Sequence, residues 1–179
     1  METNFFGAIA VTKGCIPSFR EQKSGTIVNI SSTSGISGNA GYPLYAASKF
    51  ALEGASESLA AELAPFNIRV LIVEPGGMRT NFQAAVQSEE VSEPYIGTPA
   101  HQLAQRMRGV HGMQAGDPEK AAQAIVEAVT GAGRGVDVEG QLRLPLGIDA
   151  VQRAYAKIQN FGENVERVKH ISESVVFQD

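Results

Sequence analysis

Apolar residues Phe5, Phe6, Ile9, Val11 and Ile16 recur at roughly helical spacing over residues 3–22, ahead of the polar "REQKSG". The spacing predicts a helix, bent near Pro17, because proline removes one backbone bond and crowds the preceding turn. "GTIVNISS" (25–32) is a short β-branched run entered from glycine, which predicts a buried strand. Residues 45–64 hold no proline and one glycine, Gly54, and Pro65 closes the segment, so a long helix is predicted there. "NIRVLIVEP" (67–75) is a second, continuously apolar strand stopped by "PGG". Strand, helix and apolar strand in that order read as a βαβ unit of a parallel sheet.

Beyond Thr80 the pattern loosens. Residues 81–116 mix "SEEVSEPYIGTP" with one short helical piece, "AHQLAQRMRGV". "DPEKAAQAIVEAVTGA" restores a clear helix, with Asp117 as N-cap, Pro118 at its first position and Ala121, Ile125 and Val129 on one face. "LRLPLG" (142–147) predicts a third, shorter strand, and the chain closes on a polar, amphipathic helix or helix pair. Repeats, low-complexity tracts and linkers are missing from the sequence, so residues 1–179 are read as one domain of α/β class.

Composition changes this picture little. Apolar residues at 43% and charged ones at 19% fit a globular domain with a core. A net charge of −4 gives no electrostatic reason to expect nucleic acid or an anionic membrane as partner. Cys15 is the single cysteine, which excludes an internal disulfide and suits a reducing, cytoplasmic setting. The start "METNFFGAIAVTKG" lacks a basic lead-in and Lys13 interrupts it, unlike a signal peptide; no run reaches transmembrane length.

The candidate chemistry lies in "GYPLYAASKFALEG", where Tyr45 and Lys49 stand at i and i+4 on one helix face. An ammonium held near a phenol stabilises the phenolate, so the pair can act as general acid or base. Ser32 ends the first strand thirteen residues earlier, at the sheet edge where ligands bind in open α/β folds. Asn4 lies in the preceding helix, and Gly76–Gly77 after the second strand let backbone approach a flat ligand. Taken singly, each has a plain structural use: a helix cap, a strand end, a turn.

Together, "TNFFGA", "GTIVNISS", "YAASK" and "IRVLIVEPGGMRT" resemble, in order and spacing, the carboxyl-terminal part of a short-chain dehydrogenase/reductase. "GDPEKAAQAIVEAV" and "LRLPLGIDAV" are similar to that family's late helix and last strand. The resemblance implies a partial Rossmann-like, doubly wound parallel sheet of about three strands. It implies an oxidoreductase that interconverts a ketone or aldehyde and an alcohol with NAD or NADP. Tyr45 resembles the proton donor or acceptor. Lys49 would assist it and bond the nicotinamide ribose, Ser32 would orient the substrate oxygen, and Asn4 would hold a water on the path from Lys49 to solvent. Pro75, Gly76 and Gly77 would pass under the nicotinamide, with Gly77 also near substrate, and Thr80 would reach the carboxamide or a phosphate. Residues 81–116 would form the substrate loop, with Phe82, Tyr95, Met107 and Met113 as its apolar lining. A small-molecule substrate and a homo-oligomer built on the two long helices are the implied partners.

The family's glycine-rich dinucleotide turn belongs on the order of a hundred residues before Asn4, and three residues precede it here. "TGAGRGV" (130–136) follows a helix and reads as a helix stop, and "SGISGNAG" (34–41) reads as an active-site rim. A truncated gene model, partial sequence or cut product is therefore expected, with an open apolar strand edge and weak or absent cofactor binding by this chain alone. The alternative reading is a non-catalytic module that pairs with a full-length relative through helices rich in small residues (Ala47, Ala51, Gly54, Ala55, Ser58). A serine hydrolase is poorly supported: there is no Gly-x-Ser-x-Gly elbow. His101, His111 and His170 lack metal-site spacing, so no metal is expected.

Overall fold

The computed structural model describes residues 1–82, 90–110 and 112–177. Residues 83–89, within the expected substrate loop, and His111 lie outside the described residues.

The first segment winds as a π-helical turn, Glu2–Gly7, that runs into helix α1, Ala8–Gln22, with Pro17 inside it. Strand β1, Gly25–Ile30, stops two residues short of the predicted end. Ser32 there turns the chain into the single-turn helix α2, Thr33–Ile36. Helix α3, Pro43–Leu63, starts on a proline, where a missing N–H costs nothing. A left-handed Asn67 leads into strand β2, Ile68–Pro75. Helix α4, Pro99–Gly109, and helix α5, Pro118–Thr130, follow. Asp117 caps α5 as expected, accepting from the backbone N–H groups of Glu119 (2.9 Å) and Lys120 (3.3 Å). The "TGAGRGV" glycines form a left-handed helix stop at Gly131 and a 3-10 turn, Gly133–Val138. Strand β3, Arg143–Leu146, and one continuous helix α6, Ile148–Glu173, complete the fold.

The three strands make one parallel sheet in the order β1-β2-β3, with Ile27 opposite Val70 and Val73 opposite Leu144. Among the described residues no strand pairs with the other edge of β1. Alternation along the central strand divides the core into two layers. Ile68 and Val70 face α1 and α3, where they meet Ile27, Leu63, Ile16, Phe19 and Leu59. Leu71 and Val73 face the opposite side, against Ala128 and Ile125 of α5 and Leu144 and Leu146 of β3. Helices on both faces of a parallel sheet are why β2 reads as a continuous apolar run rather than an alternating one. Leu71, Ile72 and Val73 are wholly excluded from solvent, worth about 1.5–3 kcal/mol each in buried apolar surface. The α5 face is turned by one position from the expected one: Ala128 is buried and Val129 is partly exposed.

Candidate active site

Period-two alternation along β1 places Ile27, Asn29 and Ser31 on the α3 side of the sheet. The next residue, Ser32, leaves the strand in extended conformation and caps α2, its Oγ accepting the Ser34 N–H at 3.1 Å. That bond uses a lone pair and leaves the hydroxyl proton available for an acceptor above the sheet edge. α3 carries Tyr45 and Lys49 one turn apart. Lys49 Nζ donates to the Ile30 carbonyl at 2.9 Å and lies 5.9 Å from the Tyr45 ring centroid. One carbonyl satisfies one of three ammonium donors. Burial pulls the Lys49 amine below its usual range, and Glu53, one turn further along α3, pulls it partly back. Asn4 Nδ2 donates to Ser48 Oγ at 3.2 Å, so Asn4 reaches the residue beside Lys49 rather than Lys49 itself.

The Tyr45 ring packs edge-on against Tyr42 at 6.5 Å and tilted against Phe82 at 6.1 Å. Thr80 is part of the same group: its Oγ1 accepts the Phe82 N–H at 3.3 Å. Of the four residues assigned to a substrate lining, Phe82 alone makes a ring contact with Tyr45, while Tyr95 and Met113 are largely exposed. No hydrogen bond joins the Tyr45 hydroxyl to Ser32 or Lys49 among the described residues.

Behind these residues, α3 meets the sheet through buried polar groups that the sequence reading did not single out. Ser31 Oγ donates to Glu53 Oε1 at 2.5 Å, and Asn29 Nδ2 donates to Ser56 Oγ at 2.8 Å. The Arg143 guanidinium, from β3, bonds Glu53 and Glu74 through one nitrogen and Glu57 at 2.7 Å through another. Glu53 and Glu74 are 4% and 2% exposed, so this is a buried ion cluster with an excess of negative charge. Burial raises the Glu74 carboxyl above its usual range against the Arg143 hydrogen bond, and nearby Glu53 adds to the rise. A signal was available. Ser48, Glu53 and Ser56 fall on the same buried stripe of α3 as Leu52 and Leu63, and a charged residue on a core-facing stripe needs a partner.

The backbone after β2 is fixed from the far side of the sheet. Gly76 N–H donates to the Leu146 carbonyl, and Gly77 N–H donates to Asp149 Oδ2 at 2.8 Å. A Cβ at Gly76 would lie 2.0 Å from Asp149 Oδ1, whereas one at Gly77 would lie 3.7 Å from that carboxylate. The space left by Gly76 is thus filled by Asp149, at the start of α6, and Asp149 is a residue the sequence reading missed. Opposite Met78, Gly116 donates its N–H to the Gly77 carbonyl at 3.0 Å and accepts the Arg79 N–H at 2.8 Å. On the open side of β1, a groove of about 470 Å³ runs from Asn4 and Thr12 over Ile27, Asn29 and Ile30 to Lys49. No group of His, Cys, Asp and Glu with metal-binding geometry occurs among the described residues.

The family model described as short chain dehydrogenase matches residues 1–91, just over half the chain. Oxidoreductase claN of Passalora fulva is 57% identical over 110 residues, 62% of this chain and 50% of that protein. The crystal structure of a short-chain dehydrogenase from Streptomyces avermitilis superimposes with a TM-score of 0.82 at 38% identity, covering 96% of this chain and 60% of that one. A short chain dehydrogenase from Burkholderia cenocepacia, solved in complex with NADP, shares the fold at a TM-score of 0.65 and 21% identity, over 94% of this chain and 56% of that one. The chain spans about half to three-fifths of the length of the curated relatives it matches.

Proposed function

The chain belongs to the short chain dehydrogenase family, and from that premise we propose that it carries the acid–base half of an oxidoreductase interconverting a ketone or aldehyde and an alcohol. Tyr45 gives the proton to the carbonyl oxygen, or takes it from the hydroxyl. Ser32, whose hydroxyl proton stays available while its oxygen caps α2, donates to the same substrate oxygen and orients it. Lys49 holds positive charge near the phenol and has two ammonium donors beyond its bond to the Ile30 carbonyl. Asn4 positions α3 through Ser48 and orders solvent beside Lys49.

NAD or NADP fits this residue set, since a half-buried ammonium with donors to spare faces the groove beside β1. Lys49 and Tyr45 would hold its ribose, and Pro75–Gly77 with Thr80 would hold its nicotinamide end. When bound, it supplies or accepts the hydride, leaving the protein to provide geometry and one proton. Phe82, tilted against the Tyr45 ring, gives the substrate side an apolar wall, and the segment 81–116 is assigned to the substrate loop. No helix among the described residues is long and apolar enough to cross a membrane.

The observation that carries this reading is Lys49: a half-buried ammonium, tied to the end of β1 and 5.9 Å from the Tyr45 ring. Ketone and aldehyde reduction by NADPH or NADH, followed by absorbance, tests it in the longest natural chain containing these residues. Tyr45→Phe is expected to lower kcat/KM by about a hundred- to ten-thousandfold, the range for a removed general acid. An unchanged rate would remove Tyr45 from the chemistry. Calorimetric titration of the 179-residue chain with either nucleotide is expected to show weak binding at most.

A second reading is favoured by the exposed faces of Ala47, Gly54 and Ser58 on α3. Such a face lets helices approach closely, as a homo-oligomer or a pairing with a full-length relative through α1 and α3 requires. Loss of a relative's activity on mixing supports that pairing, and unchanged activity opposes it.

A further inference from the structure

Helix α6 is anchored to the body over its first two turns and keeps one flank beside it further out, where Lys157 Nζ lies 6.0 Å from the Phe50 ring centroid and Phe161 and Asn164 share a hollow with Ser37 and Gly38. Ala150 is fully buried and Asp149 holds Gly77, while Arg153 Nη1 donates to Asn39 Oδ1 at 2.7 Å. From Tyr155 to Glu173 every residue is exposed, on a helix of 26 residues, about 39 Å long at 1.5 Å per residue. A helix standing free in water should be polar all round. α6 is not. Val151, Ala154, Ile158, Phe161, Val165 and Val168 follow one another at alternating steps of three and four, and Ser172 continues the same register. Ile158 and Phe161 are 67% and 62% exposed. Exposed residues at helical spacing could serve any apolar cover, but a strict alternation of three and four is more demanding. It is the 3.5-residue repeat that keeps a seam facing another helix over its whole length.

We propose that α6 is a self-association helix, pairing along this seam with α6 of a second copy of the chain. Three features of the seam suit an identical partner. First, its flanking positions carry only two charges, Lys157 on one side and Lys169 on the other. Side by side, Lys157 falls opposite Gly162 and Lys169 opposite Asn164. Head to tail, Lys169 falls opposite Tyr155 and Lys157 opposite Ile171. Neither orientation sets like charge against like, which is the usual device against self-pairing. Second, the seam balances in volume against itself. In the head-to-tail register Ala154 meets Ser172, Phe161 meets Val165 and Ile158 meets Val168. Third, the seam runs for three heptads, which on two helices buries on the order of 1,000 Å², the threshold for a stable interface. The contact is isologous, the same patch on both copies, so it closes at a dimer. It also differs from the small-residue faces of α1 and α3, and it stands whether or not the proposed chemistry does.

Sedimentation velocity of the whole chain across a dilution series tests this. The chain is expected to sediment as a dimer that dissociates on dilution. Phe161→Glu combined with Val165→Glu should give a monomer throughout, weakening association at least about a hundredfold, since two charges enter the centre of an apolar seam. Both side chains are exposed in the single chain, so far-UV circular dichroism and the thermal transition of the body should persist and separate lost pairing from lost folding. Val11→Glu, at an exposed position of α1 that lines the groove beside β1, should leave the dimer mass intact. A chain that is monomeric at every concentration overturns the proposal. So does a double variant that keeps the dimer mass, or a Val11→Glu variant that alone loses it, because either result assigns the contact to another face.

Discussion

The two longest helices are built in opposite senses. α3 lies on the sheet and buries Ser48, Glu53 and Ser56 among Leu52 and Leu63, while it shows solvent Ala47, Gly54 and Ser58. α6 turns Ile158, Phe161 and Val165 outward and buries only Ala150. In α3 the polar groups point inward because the sheet meets them with matching partners: Asn29 for Ser56, Ser31 and Arg143 for Glu53. In α6 the apolar groups stand exposed because none of the described residues covers them as the sheet covers α3. A helix is thus assigned its environment by what stands opposite, not by its mean hydropathy.

The largest expected effect breaks the buried side of that contrast. Arg143→Met removes the cation shared by Glu53 and Glu74. Two carboxylates almost excluded from water are left uncompensated, a change typically costing about 3–5 kcal/mol. The urea midpoint should fall accordingly. Glu57→Gln, at the solvent end of the same cluster with a side chain 54% exposed, should move it by less than about 1 kcal/mol. If the two variants behaved alike, the cluster would be no more than a surface ion pair.

A second pair compares the helices directly. Leu52→Ala deletes a fully packed side chain of α3, expected to cost about 2–5 kcal/mol. Ile158→Ala deletes an exposed one of α6, expected to stay within about 0.5 kcal/mol where the chain is monomeric. Chemical denaturation of dilute samples reads both. A large loss for Ile158→Ala under those conditions would mean that α6 is covered within the single chain.

The smallest effect is a pH dependence. Burial raises the folded-state pKa of Glu74 above its ordinary 4.5. The folded protein therefore holds that proton at pH values where the unfolded chain has released it. The stability linked to Glu74 is fully present below pH 4.5 and is lost as pH rises from there through the raised folded-state value. Denaturation midpoints over that window should fall more steeply for the wild type than for Glu74→Gln. Equal slopes would show that Arg143 holds the carboxylate ionised.

Much of the fold was legible because the signals were local. Pro65 closes the segment that becomes α3, Asp117 and Pro118 open α5, and the apolar run at 67–75 announces a strand buried on both faces. The groups around the candidate site were legible in part. Tyr45 and Lys49 are one turn apart on any helix, so their proximity needed no tertiary structure. Asp149 was invisible beside Gly76, because more than seventy residues separate them and only the parallel pairing of β2 with β3 brings them together. Arg143 was hidden for the same reason: nothing in "LRLPLG" says that its arginine faces three glutamates.

The sequence by itself therefore determined the elements, their order and the helix face that carries the tyrosine and lysine, since those follow from periods of two and 3.6 and from the conformational limits of proline and glycine. Tertiary structure alone decided which polar groups are buried together, which glycine is already filled by a carboxylate, and which apolar face is left bare. Burial and pairing are properties of the surface opposite, and that surface comes from distant parts of the chain.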